Sequence, residues 1–138
     1  MHDVGRSFIP IDRLKAHIVI LSRYKRNTFH GHLTDSTVTK RFPGLYYTKQ
    51  LACELVTFWK AQRVLLIPEI DMPGHSGAFR RATGYDMQSD FGKVLVKKLL
   101  PEVCALFDVP YIHIGTDEVA FNDAQFVPEM AAVSPGLW

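Results

Sequence analysis

The stretch Val64-Leu65-Leu66-Ile67-Pro68-Glu69-Ile70-Asp71-Met72-Pro73-Gly74-His75 sets the reading of the fold. Four consecutive apolar residues are what a strand buried on both faces contains, as in parallel sheets. Pro68 ends the run. A loop rich in Pro and Gly follows, carrying Glu69, Asp71 and His75 past the strand's C-terminal end. In parallel α/β folds that end is where ligands bind.

The same unit recurs on both sides of this stretch. Short β-rich runs lie at 2–5, 27–33 and 111–115, the last being Tyr111-Ile112-His113-Ile114-Gly115. Helical patterns lie between them. Ile11, Leu14, Ile18 and Leu21 recur at spacings of three and four, with Pro10 and Asp12 suited to the first turn. Thr48 is placed to cap a second helix whose Leu51, Leu55, Phe58 and Trp59 share a face. A short helix is expected over 76–83, a long one over 91–107 and a last turn over 127–132. Pro101 falls inside the long helix and is expected to start a new segment or kink it, since an interior proline costs ~3 kcal/mol. The order is β-α-β-α-β-α-β-α with right-handed crossovers. Spacing alone admits a small open doubly wound sheet or half of a (β/α)₈ barrel.

Composition narrows the class. The chain has 138 residues, 16 Lys+Arg against 14 Asp+Glu and 47% hydrophobic residues, the profile of a single globular domain spanning 1–138. The near-even charge gives no reason to expect nucleic acid. No apolar run approaches the roughly 18 residues of a membrane span, so no membrane is expected. The N-terminus has no apolar signal region, and nothing fixes a compartment. Cys53 and Cys104 are expected to be free thiols in helical core positions. A complete barrel takes about 200–250 residues, more than this chain holds.

Every strand end carries ionisable residues: Arg6 after the first, His32 and Asp35 after the second, Glu69, Asp71 and His75 after the third, Asp117 and Glu118 after the fourth. Any one of them reads equally as a loop carboxylate or a helix cap. Adjacent carboxylates such as Asp117 and Glu118 repel, so one is expected to titrate high, as a general acid requires. His30 and His32 share one strand face, so a metal-dependent hydrolase using His30, His32, His75 and Asp117 is an alternative.

Taken together, Asp3-Val4-Gly5-Arg6, Phe29-His30-Gly31-His32-Leu33-Thr34-Asp35, Ile67 to His75 and His113-Ile114-Gly115-Thr116-Asp117-Glu118-Val119 resemble the catalytic domain of family 20 glycoside hydrolases, the β-N-acetylhexosaminidases. The resemblance implies the (β/α)₄ N-terminal half of a TIM-type barrel, with parallel strands and helices on the outer face. It implies retaining, substrate-assisted hydrolysis of terminal β-linked N-acetylhexosamine, in which the sugar's acetamido oxygen is the nucleophile. Glu118 would be the general acid and then base. Asp117 would orient the acetamido N–H. Arg6 would hold sugar hydroxyls, and His75 with Asp35 would tune Glu118. Asp71, Glu69 and His32 would support these groups from behind. Neither a metal nor an organic cofactor is implied, and the partner would be an N-acetylhexosamine-terminated glycan.

The sequence departs from the family pattern at Gly31, where a Trp is usual, and at Ser36-Thr37-Val38-Thr39. An aromatic lost from an unrelaxed core would cost ~3–5 kcal/mol. The family's later strands supply walls around the acetamido group, and Trp138 is not assigned to them. Two consequences are expected. The chain would be weakly active or act as a non-catalytic amino-sugar or protein binder. An open four-stranded sheet with an apolar inner face would also favour a homodimer completing the barrel.

Overall fold

Three of the four β-rich runs form strands, and the fourth is only bridged to them. The structure is a computed structural model that describes residues 2–34 and 43–133. In chain order the elements are β1 (His2–Asp3), α1 (Ile11–Arg23), β2 (Thr28–His32), α2 (Lys49–Ala61), β3 (Leu65–Glu69), α3 (Gly77–Thr83), α4 (Asp90–Phe107) and α5 (Phe126–Ala131). The sheet is parallel with order β1-β2-β3. A parallel bridge between Glu69 and His113 continues that order to the run at 111–115.

Pro68 explains why this run is bridged and not paired along its length. Pro68 and Ile70 face it: the Pro68 carbonyl accepts from the His113 N–H at 2.9 Å, and the Ile70 N–H donates to the His113 carbonyl at 3.0 Å. Pro68 has no N–H with which to extend the ladder upstream. Downstream, Gly115 turns away at φ 68° and its N–H goes to His113 Nδ1.

The period-two alternation of the strands divides two faces. Phe29 and Gly31 of β2 and Leu66 and Pro68 of β3 point towards the helices. Leu14 and Ile18 of α1, Leu55 and Trp59 of α2 and Phe107 of α4 cover Phe29 and Leu66. A second cluster joins Ile70, Met72, Ile112 and Ile114 to Val96 and Leu100 of α4 and Phe126 and Met130 of α5. Lys93 and Lys97 of α4 reach Glu129 of α5 at 3.3 and 2.6 Å. The other face is the inner one. It carries His30 and His32, paired in register with Ile67 and Glu69.

Two expectations change here. The run 64–67 is not buried on both faces: Val64 and Leu66 are buried, but Leu65 is 39% exposed. Nor is the inner face apolar, since it is built on histidine and carboxylate side chains beside Leu65 and Ile67.

The helices follow their sequence signals. Thr48 caps α2 by accepting from the Leu51 N–H at 3.2 Å, and Ser89 caps α4 by accepting from Gly92 N–H at 3.1 Å. Helix α4 runs through Pro101 without a break. The proline lies on the exposed side, where water can satisfy the carbonyl that loses its donor. Cys53 and Cys104 are free, as expected, but Cys53 is exposed and not in the core. No helix among the described residues is long and apolar enough to cross a membrane.

Gly31 needs none of glycine's freedom. A Cβ there would meet Phe29, Leu66 and Leu33 at 3.6–3.8 Å, ordinary contact distances. Beneath it lies an apolar void of about 30 Å³ lined by Phe29, Leu66 and Trp59 among others. At about 24 cal/mol per Å³ such a void costs only ~0.7 kcal/mol. The neighbours have therefore closed over most of the space an aromatic would fill. Gly31→Ala is expected to stabilise the chain by about 0.5–1 kcal/mol, by adding contact and removing unfolded-state freedom. Urea unfolding measures this, and a destabilised variant would show that the glycine is required.

Candidate active site

The strand ends converge on a hollow of about 500 Å³ lined by Arg6, His30, His32, Glu69, Asp71, His75, His113, Gly115, Asp117 and Glu118. Its floor is the inner sheet face. The Glu69 side chain is only 7% exposed and three histidines surround it. His32 Nδ1 bonds Oε1, His30 Nε2 lies 2.5 Å from Oε2, and His113 Nδ1 lies 2.7 Å from the same oxygen. Burial pushes this carboxyl up. The His32 hydrogen bond and the neighbouring His113 and His30 outweigh that and hold it below its ordinary value.

One wall of the hollow is the loop after β3. His75 is held there at φ 45°. Its Nε2 lies 3.2 Å from Glu118 Oε2, and its Nδ1 lies 3.4 Å from Arg6 Nη2. A guanidinium can only donate, so His75 Nδ1 accepts and Nε2–H donates to the Glu118 carboxylate. Arg6 is anchored in turn by Asp3, through its own N–H at 2.8 Å and Nη1 at 3.0 Å. Thus β1, the loop after β3 and the segment after 111–115 are linked by one chain of contacts, Asp3–Arg6–His75–Glu118.

Asp71 is buried behind this chain, and its Oδ1 has no hydrogen-bond partner among the described residues. Burial raises its titration most. The charges of Asp117 and Glu69 raise it further, against His75 and the Thr116 N–H. Among the carboxyls lining the hollow, burial thus singles out Asp71 as one held above its ordinary value. Glu118 has a side chain 74% exposed. Gly115 allows the close approach: a Cβ there would lie 2.0 Å from Asp71 Oδ1.

Of the residues expected from sequence, Arg6, His32, Glu69, Asp71, His75, Asp117 and Glu118 share this hollow. Asp35 lies outside the described residues, as do Ser36 to Thr39 and Trp138. The structure does not gather His30, His32, His75 and Asp117 as one ligand set. Among the described residues the metal-compatible cluster is His30, Glu69 and His113. His113 was not singled out from sequence. Its signal was its alternation with Ile112 and Ile114, which sends it to the face of Glu69.

Glu69 and Asp71 have opposite pH signatures. A lowered carboxyl adds stability that is full above its ordinary value of 4.5 and is lost as pH falls through its folded value. A raised carboxyl adds stability that is full below its ordinary value of 3.8 and is lost as pH rises through its folded value. Glu69→Gln is expected to destabilise the chain by about 2–3 kcal/mol at pH 7, with the gap closing in acid. Asp71→Asn is expected to be more stable than the wild type at pH 7 and equal to it below pH 3.8. Urea unfolding at a series of pH values checks both, and parallel curves for wild type and variants would exclude the assignment.

Comparison with known proteins places this geometry. The family profile described as "Glycosyl hydrolase family 20, catalytic domain" matches residues 1–40 and 37–91. The β-hexosaminidase of Vibrio furnissii is 30% identical over 86% of this chain, and the β-N-acetylhexosaminidase of Cellulomonas fimi is 28% identical over 88%. The chain spans 28% and 32% of those relatives' lengths. The Streptomyces plicatus N-acetyl-β-hexosaminidase, solved with Thio-NAglucal, superposes with a TM-score of 0.83 at 27% identity, covering 98% of this chain and 37% of that one. The fold is accordingly a partial TIM barrel, and the chain belongs to glycosyl hydrolase family 20 as a hexosaminidase-like fragment of its catalytic domain.

Proposed function

We propose that this chain carries the proton-transfer half of a β-N-acetylhexosaminidase site, acting on glycans that end in β-linked N-acetylhexosamine. The contact of His75 Nε2 with Glu118 Oε2 at 3.2 Å carries the reading. It puts an imidazole N–H on the carboxylate that the family resemblance assigns as general acid. Glu118 protonates the leaving oxygen, and as a base it then activates the water that opens the oxazolinium-like intermediate. Asp117 orients the acetamido N–H and stabilises the positive charge that develops on it. Arg6, aimed by Asp3, binds sugar hydroxyls with the remainder of its donor fork. Asp71 and Glu69 position His75 and the sheet face from behind, with His32. Asp35 would complete the link through His75.

The exposure of Glu118 favours a second reading, an amino-sugar binder without turnover. A general acid needs a desolvated setting to hold its proton near neutral pH, and a side chain 74% exposed lacks one. The discriminating experiment is hydrolysis of an aryl N-acetyl-β-glucosaminide by the 138-residue chain beside Glu118→Gln. Turnover lowered about 10²- to 10⁴-fold in the variant supports catalysis by Glu118. No turnover, with retained binding of an oxazoline-like inhibitor, supports the binder. Turnover unchanged by Glu118→Gln excludes the assignment.

A second copy of the chain is the other partner we propose. Within the described residues β1 pairs only with β2, so an open strand edge is available for pairing. Sedimentation equilibrium is expected to show association above the 15.7-kDa monomer, and a monomer at all concentrations excludes it.

A further inference from the structure

The end of the sheet opposite the hollow gathers cations. Helices α1 and α2 both finish there, and the chain then turns into β2 and β3. The two turns share one geometry. At the first, the Lys25 N–H donates to the Ser22 carbonyl at 3.0 Å and the Arg26 N–H to the Leu21 carbonyl at 2.9 Å. At the second, the Arg63 N–H donates to the Lys60 carbonyl at 3.0 Å and the Val64 N–H to the Trp59 carbonyl at 3.2 Å. Both are Schellman closures, whose turning residue is left-handed and commonly glycine. Here it is Lys25 at φ 56° and Arg63 at φ 55°. Ser22 Oγ donates to the Gln62 carbonyl at 3.1 Å and sets the turns side by side.

Arg23, Lys25, Arg26, Lys60 and Arg63 therefore share one end of the molecule. Lys60 is paired with Asp108. The other four are exposed and form no ion pair among the described residues. Arg23 and Lys60 have a structural reason, since a cation offsets the partial negative charge of a helix C-terminus. That reason does not extend to the two left-handed positions, where glycine would cost less. Apolar side chains flank the cations. Tyr24 is 77% exposed, and Ile20, one helical turn earlier on the same side of α1, is 50% exposed.

We propose that this end of the sheet docks on an anionic lipid surface. Basic side chains are drawn to the negative potential of such a surface. Tyr24 and Ile20 supply apolar groups of the kind that enter the headgroup boundary. A soluble polyanion would use the cations but offer Ile20 no apolar partner. No helix among the described residues is long and apolar enough to cross a membrane, so the contact is peripheral. The five-residue strands β2 and β3, roughly 17 Å long, separate the docking end from the hollow. A docked chain keeps Arg6 and Glu118 turned away from the lipid. The inference is independent of the hexosaminidase reading, because none of these residues lines the hollow.

Co-sedimentation of the 138-residue chain with phosphatidylcholine vesicles, with and without phosphatidylserine, tests the docking. Binding is expected only with phosphatidylserine at ~0.1 M salt and is lost at ~1 M, where the screening length falls from about 10 to about 3 Å. Lys25→Gly combined with Arg63→Gly is expected to weaken binding about 25-fold, near fivefold for each cation. Urea unfolding should show that variant to be no less stable than the wild type, since glycine relieves both left-handed positions. Tyr24→Ser should weaken vesicle binding and leave its salt dependence in place. No binding, or equal binding to both kinds of vesicle, overturns the proposal. So does binding that the folded double-glycine variant retains in full. Heparin bound as tightly as the phosphatidylserine vesicles, with neither affinity moved by Tyr24→Ser, assigns the cluster to soluble polyanions and overturns the lipid docking.

Discussion

A single buried carboxylate organises the inner face of this sheet. Glu69 sits at the end of β3 with His32 and His30 of β2 on one side and His113 on the other. An isolated buried carboxylate is costly, and one that is hydrogen-bonded on both oxygens is not. That requirement fixes register. A slip of one residue in β2 would point Phe29 and Gly31 at the carboxylate and send both histidines into the helix-covered core. The backbone ladder cannot enforce this on the far side, because Pro68 leaves only a bridge there. The side chain of Glu69 thus adds its contact with His113 where Pro68 has no N–H to extend the ladder.

The same alternation explains how one short chain serves two tasks. Residues facing the helices are apolar and close-packed. Facing inward towards the C-terminal ends of the strands are His30, His32 and Glu69, which are titratable and line the hollow. The site is thus anchored by residues that alternate with the core. Its position depends on rigid strands, while Asp117 and Glu118 are placed by the turn that follows.

Much of this was legible in the sequence, for identifiable reasons. Helices α1 and α2 carried their periodicity, and α2 its Thr48 cap, in plain form. The strand-end residues could be gathered because parallel strands deliver their C-terminal ends to one side. Three things were hidden. A Pro within Leu65–Glu69 reads as the end of a run, yet the strand continues through it and only its neighbour is shortened. Pro101 reads as a break, but a proline on the exposed side of a long, well-packed helix is tolerated. The third was electrostatic. Adjacent acids in sequence suggest mutual repulsion, whereas burial acts on the residue that the fold encloses, and that residue is Asp71.

Backbone conformation, more than packing, sets the direction of the candidate acid. His75, Thr116 and Glu118 have φ values of 45°, 81° and 52°, a region that residues with side chains seldom occupy. Thr116 is β-branched and pays most for it. Such conformations each cost about 1–3 kcal/mol and persist only where the surroundings over-determine them. Here the surroundings are specific. Gly115 turns at φ 68°, and Asp71 fills the space that a Cβ at Gly115 would need. Asp71 is therefore buried with one oxygen unpartnered because its presence forms the turn. The cost of enclosing that carboxylate and the strain after Gly115 are two halves of one arrangement, which carries Glu118 to His75 although its own side chain lies largely in solvent.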